Sequence, residues 1–116
     1  MKASMFGAAF ALLAAVGCGG SSIPPAKVTQ TQSAISAAEA VGAREHPRAA
    51  LHLKLARDQM AGAEALMRDG DDEEARLVLD RANADAELAL VLTRSAERRQ
   101  EAERAIQELK TLNGGE

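Results

Sequence analysis

Aromatic residues are almost missing. The 116-residue chain has no Trp or Tyr, and its two Phe, Phe6 and Phe10, fall at its very start. That leaves no platform on which nucleic-acid bases could stack. The single Cys, Cys18, excludes a disulfide framework and a multi-Cys zinc module. Charge of one sign is also lacking: 14 Lys+Arg stand against 17 Asp+Glu, for a net charge of -3. Arg98-Arg99 is too small a basic patch for nucleic acid, so no nucleic-acid partner is expected. Pro occurs only 3 times, whereas Ala fills 26 of 116 positions, a mix rich in helix and poor in loop.

The first segment reads as a targeting signal. Met1-Lys2 supplies a positive start, and Ala3 to Val16 is uncharged and mostly apolar. A spanning helix needs roughly 20 apolar residues, so this run is too short for one. It has the length of the apolar region of a secretory signal. Ala15-Val16-Gly17-Cys18 follows at once. These residues resemble the lipobox of bacterial lipoproteins, carried here by Val16, Gly17 and Cys18, with Ala15 where that family more often has Leu. The resemblance implies a lipid on the Cys18 sulfur and cleavage between Gly17 and Cys18. A plain secretory signal and an uncleaved anchor are the alternatives. Several acyl chains on one Cys hold a protein stably on a membrane. Gly19 stands where an Asp would signal inner-membrane retention in Gram-negative lipoproteins, so the expected location is the outer membrane, facing the periplasm. The expected organisation is a signal peptide over 1–17, a lipidated Cys with a flexible tether over 18–28, a helical domain over 29–113 and a tail over 114–116.

The rest reads as all-α. A first helix is expected from Thr29, with Thr29 and Gln32 as a capping box and Ala34, Ile35, Ala38 and Val41 on its apolar face. Pro47 either kinks this helix or starts a second one at its first position. In the second, Ala49, Leu53, Ala56, Met60, Ala63 and Met67 step by four and three, a seam that faces a partner helix. Gly70 suits a left-handed helix end. Asp71 and Glu74 fit a capping box for a third helix running to Leu112. Ala75, Leu79, Ala82, Ala86 and Ala89 continue the seam there, and Thr93, Ala96 and Gln100 turn it polar. Ala102, Ile106 and Leu109 then form an apolar stripe near the end. The expected packing is a long antiparallel helical hairpin with a kink or break at Pro47, in which Ala38 meets Ala102 and Ala34 meets Ile106. A compact three-helix bundle is the alternative, and it leaves Ile106 and Leu109 overhanging.

No chemistry-bearing arrangement emerges. His46 and His52, six residues apart, point in different directions on a helix and read as exposed polar residues. The acidic run Asp69 to Glu74 lacks the Gly and Glu that a calcium loop needs at its sixth and twelfth positions. No nucleophile elbow or P-loop string occurs, so no enzyme activity, metal or cofactor is expected beyond the lipid on Cys18.

Two resemblances bear on the helical part. Ala63 to Ala82 is similar to the middle of a tetratricopeptide repeat, with Ala63, Leu66, Gly70, Ala75, Leu79 and Ala82 on its packing positions. Glu87 stands where that repeat has Pro, and no second copy follows, so the likeness implies a helical hairpin rather than an array. The whole layout of lipobox, tether and Ala-rich helices, with Ala63 to Ala75 at the turn, resembles domain of unknown function family 4398, a family of short bacterial lipoproteins. That resemblance implies no ligand and no active residue. The function expected is a non-enzymatic envelope lipoprotein presenting a helical interaction surface, with Ala102, Ile106 and Leu109 as candidate contacts. A hairpin buries one stripe per helix, so self-association or docking on an envelope protein is expected to cover the remainder. A ligand- or ion-binding accessory lipoprotein, or a structural spacer, are the alternatives.

Overall fold

The computed structural model describes residues 22–114. Cys18, Gly17 and the rest of the expected targeting segment lie outside them. The described part is all-α: α1 spans Pro25–Ala40, α2 spans Pro47–Asp69 and α3 spans Asp72–Asn113, with a short 3-10 turn at Ala43–Glu45.

α1 starts four residues earlier than the sequence pattern suggests. Pro25 occupies the first position of the helix, where its missing N–H costs nothing. Thr29 is therefore inside the helix and caps nothing; its hydroxyl donates to the Pro25 carbonyl at 3.1 Å. Part of the expected tether is structured as well, because Ile23 is buried in the core. The buried face of α1 is Thr31, Ile35 and Ala38, with Ala34 only half-buried.

Pro47 starts a helix instead of kinking one. α1 closes at Gly42, in the left-handed region at φ 81, and His46 is extended, as the residue before a proline tends to be. α1 folds back here. Its start meets Asp80 of α3 through a Lys27 ion pair, and its end meets α2 through the Arg57–Glu39 pair. The all-α architecture and the antiparallel α2–α3 pair are as expected, but α1 takes the compact three-helix arrangement. Ala102 is exposed and Ile106 is 51% exposed, so neither Ala38 nor Ala34 covers them.

The expected seam forms the core. Ala49, Leu53, Ala56, Met60 and Ala63 of α2 are buried against Ala75, Leu79, Ala82, Ala86 and Ala89 of α3. Small side chains at alternate steps let the helix axes approach closely. The two buried threonines, Thr31 and Thr93, donate to carbonyls one turn back at 3.0 and 2.9 Å, which satisfies their hydroxyls.

Candidate functional site

α3 is 42 residues long against 23 for α2. At 1.5 Å per residue it reaches about 63 Å and outruns the bundle. The start of α2 sits beside Leu92, Ser95 and Arg99 of α3, around a shallow cleft of about 240 Å³ that His46 and Pro47 help to line. From Glu97 to Asn113 every residue of α3 is exposed. The reason lies in the sequence: beyond Ala96 the inner seam would continue through Gln100, Glu103 and Gln107, none of which has an apolar surface to bury. Ala102, Ile106 and Leu109 lie on another side of this free segment.

The turn at the other end is built as its residues require. Gly70 is left-handed at φ 85, and the Asp71 amide donates to the Leu66 carbonyl at 2.9 Å. That pairing is a Schellman closure, which satisfies carbonyls orphaned at the end of α2. Asp71 stands at the N-cap of α3, but no side-chain capping bond forms, so the capping box with Glu74 is not made. Asp72, Glu73 and Glu74 still place negative charge in the first turn, where the helix dipole favours it. Among the described residues, no group of His, Cys, Asp and Glu is arranged to hold a metal.

One polar cluster escapes a reading of the sequence. His52 is not a free surface residue: its Nδ1 lies 2.8 Å from Asp85 Oδ1, and Gln59 donates to Asp85 Oδ2 at 2.8 Å. Asp85 thus ties two turns of α2 to α3. The separation of 33 positions between His52 and Asp85 hides this pair, and only the facing register of the two seams points to it. His46 lies elsewhere, at the cleft beside Arg99.

These features define an all-α domain whose third helix extends past its own bundle. Among the described residues, no helix is long and apolar enough to cross a membrane. The family model for DUF4398, a domain of unknown function, matches residues 26–105, and the chain belongs to that family. No curated protein and no solved structure shows a significant match.

Proposed function

We propose that this protein is a non-enzymatic lipoprotein of the cell envelope that presents a helical protein-interaction surface in the periplasm. The observation that carries this reading is the free part of α3, exposed from Glu97 to Asn113 with Ile106, Leu109 and Leu112 among the exposed apolar residues. A contiguous exposed apolar stripe on a soluble domain marks an interaction site. The anchor is read from Val16-Gly17-Cys18, and Gly19 favours the outer membrane. The likeness of residues 63–82 to a tetratricopeptide unit fits a hairpin used for protein contact. No cofactor is proposed apart from the covalent lipid.

The test has two parts. Cys18→Ala should leave the precursor unprocessed or move the protein from the membrane to the soluble fraction. The intact mass of the wild type should exceed that of the polypeptide from Cys18 to Glu116 by the lipid. A different mature N-terminus, or an unmodified mass, would defeat the anchor. Ile106→Asp should then lose a partner captured by the wild type from detergent extracts. A spacer predicts no stoichiometric partner at all. An accessory ligand-binding role has one observation in its favour, the cleft beside His46. At about 240 Å³ it is smaller than ordinary small-molecule sites of roughly 300–1,000 Å³, and the larger groove of about 460 Å³ between α1 and α2 is open and lined mostly by exposed polar side chains, which places that reading second.

A further inference from the structure

α3 carries a second seam, on the side away from the bundle. Leu77, Leu88, Val91, Leu109 and Leu112 are between 41% and 70% exposed, although each is a large apolar residue. They share one heptad register with Ala84, Ala102 and Ala105, which are also exposed. Arg81, Ser95 and Arg98 fill the remaining places of the same alternation of four and three. At 3.6 residues per turn, this stripe lies roughly 160° around α3 from the inner seam of Leu79, Ala82, Ala86 and Ala89. α1 and α2 both pack on the other sides. A sustained four-three apolar pattern is what a coiled-coil partner helix buries.

We infer that this outer seam of α3 pairs antiparallel with the outer seam of a second copy of the chain. The inference rests on the reading of α3 as an interaction surface and names its partner; it does not depend on the lipid. Charge, shape and area single out a second copy in this orientation. A parallel in-register pair would stack Arg81 and Arg98 on their own copies and set Arg94 against the partner's Arg99. Like charges so placed are destabilising. In an antiparallel pair centred between Ala96 and Glu97, Leu88 faces the partner's Ala105. Val91 then faces the partner's Ala102, and Leu109 the partner's Ala84. Large opposes small at each of these steps, and Arg94 comes beside the partner's Glu101. Two like-signed contacts remain in this register: Glu87 beside the partner's Glu108, at its solvated edge where salt screens them, and Arg98, which faces the partner's Ser95 and lies about 4.5 Å along the axis from the partner's Arg98. The part of the stripe paired in this register runs from Arg81 to Leu112, about 47 Å, and a helix is about 10 Å wide. The footprint is then on the order of 500 Å² per chain, or about 1,000 Å² for the pair, the lower bound for a specific interface. The inner seam that carries each bundle faces away from the paired helix, so the two bundles lie on opposite sides of the pair.

Engineered cysteines in the full-length chain test orientation and partner together. A disulfide needs Cα atoms within about 7 Å. In the antiparallel pair, Val91 lies about 16 Å along the axis from its own copy, and so does Ala102. Val91→Cys alone and Ala102→Cys alone should therefore give no more covalent dimer on oxidation than wild type, whose Cys18 sets the background. The chain carrying both substitutions should give covalent dimers efficiently. Adding Leu88→Glu to that double variant should abolish the crosslink while the far-ultraviolet circular dichroism stays helical. Self-crosslinking by each single variant would mean parallel pairing and overturn the orientation. No dimer from the double variant, or its capture by a different protein, would overturn the second copy as occupant. Capture of a different protein would still leave α3 an interaction surface, and loss of the lipid on Cys18 would leave the dimer standing.

Discussion

Gly70 shows how much one residue can fix. Its φ of 85 belongs to the left-handed region, and a Cβ built there meets nothing within 4 Å. The cost of a side chain is therefore all backbone strain. Gly70→Val should lower stability by about 1–3 kcal/mol, because a β-branched residue resists that conformation. Gly70→Asn should cost distinctly less, since Asn visits this region more readily. Thermal unfolding followed by circular dichroism compares the two. If Val and Asn melt alike, strain at this position does not set the turn. Asp85 is the second informative residue. Asp85→Ala removes the acceptor shared by His52 and Gln59 and should cost about 1–3 kcal/mol. In a double-mutant cycle with His52→Ala, the double variant should lose less than the two single losses added together, because each single variant already breaks the same contact. Gly70 is legible in the sequence because turn chemistry is local. Asp85 is not, because its partners lie on another helix and no spacing rule links them.

At the scale of elements, α2 and α3 follow from their periodicity almost residue for residue, from Ala49 to Ala63 and from Ala75 to Ala89. The pattern says which face is inside and which helix it meets. It does not say where α1 goes. Thr31, Ile35 and Ala38 present a face that can meet either the Ala-rich part of α3 or its later stripe of Ala102 and Ile106. The choice depends on backbone at Gly42 and His46, where a left-handed glycine and an extended residue turn the chain back. The local reading at Pro47 leaves kink and helix start equally open, and packing decides between them. The outer seam of α3 is hidden in the sequence for another reason: Arg81 and Arg98 interrupt it, and only its exposure in the fold separates it from the inner seam. Two substitutions put this arrangement to work. Leu79 is fully buried, so Leu79→Ala should cost about 2–5 kcal/mol. Ile106→Asp lies on the free segment and should shift stability by no more than about 0.5 kcal/mol. At a dilution where the chain is monomeric, a large drop in melting temperature for Ile106→Asp would mean that α1 covers this segment after all.

At the scale of the molecule, the inner core is made largely of alanine. Leu53, Leu79 and Ile35 are its bulkiest deeply buried apolar side chains, with Met60 nearly as enclosed. An alanine contributes far less on burial than the roughly 1.5–3 kcal/mol of a Leu or Ile. A domain this thin gains proportionally more from covering the outer leucines of α3. Anything that binds the folded state and not the unfolded one raises apparent stability by mass action. Pairing through α3 therefore makes the melting temperature depend on protein concentration. Above the dissociation constant, a tenfold rise in concentration adds about 1.4 kcal/mol per dimer, or about 0.7 kcal/mol per chain. For a domain of this size that corresponds to a rise of roughly 3–6 °C per decade of concentration. The full-length protein should show this slope over two decades. Leu88→Glu places a carboxylate in the pairing face, where Leu88 is 41% exposed in the single chain and so tolerates the change. Its melting temperature should be independent of concentration and equal to that of the wild type at high dilution. A wild type whose melting temperature does not move with concentration is a monomer over that range, and its outer leucines are then left for a partner of another kind.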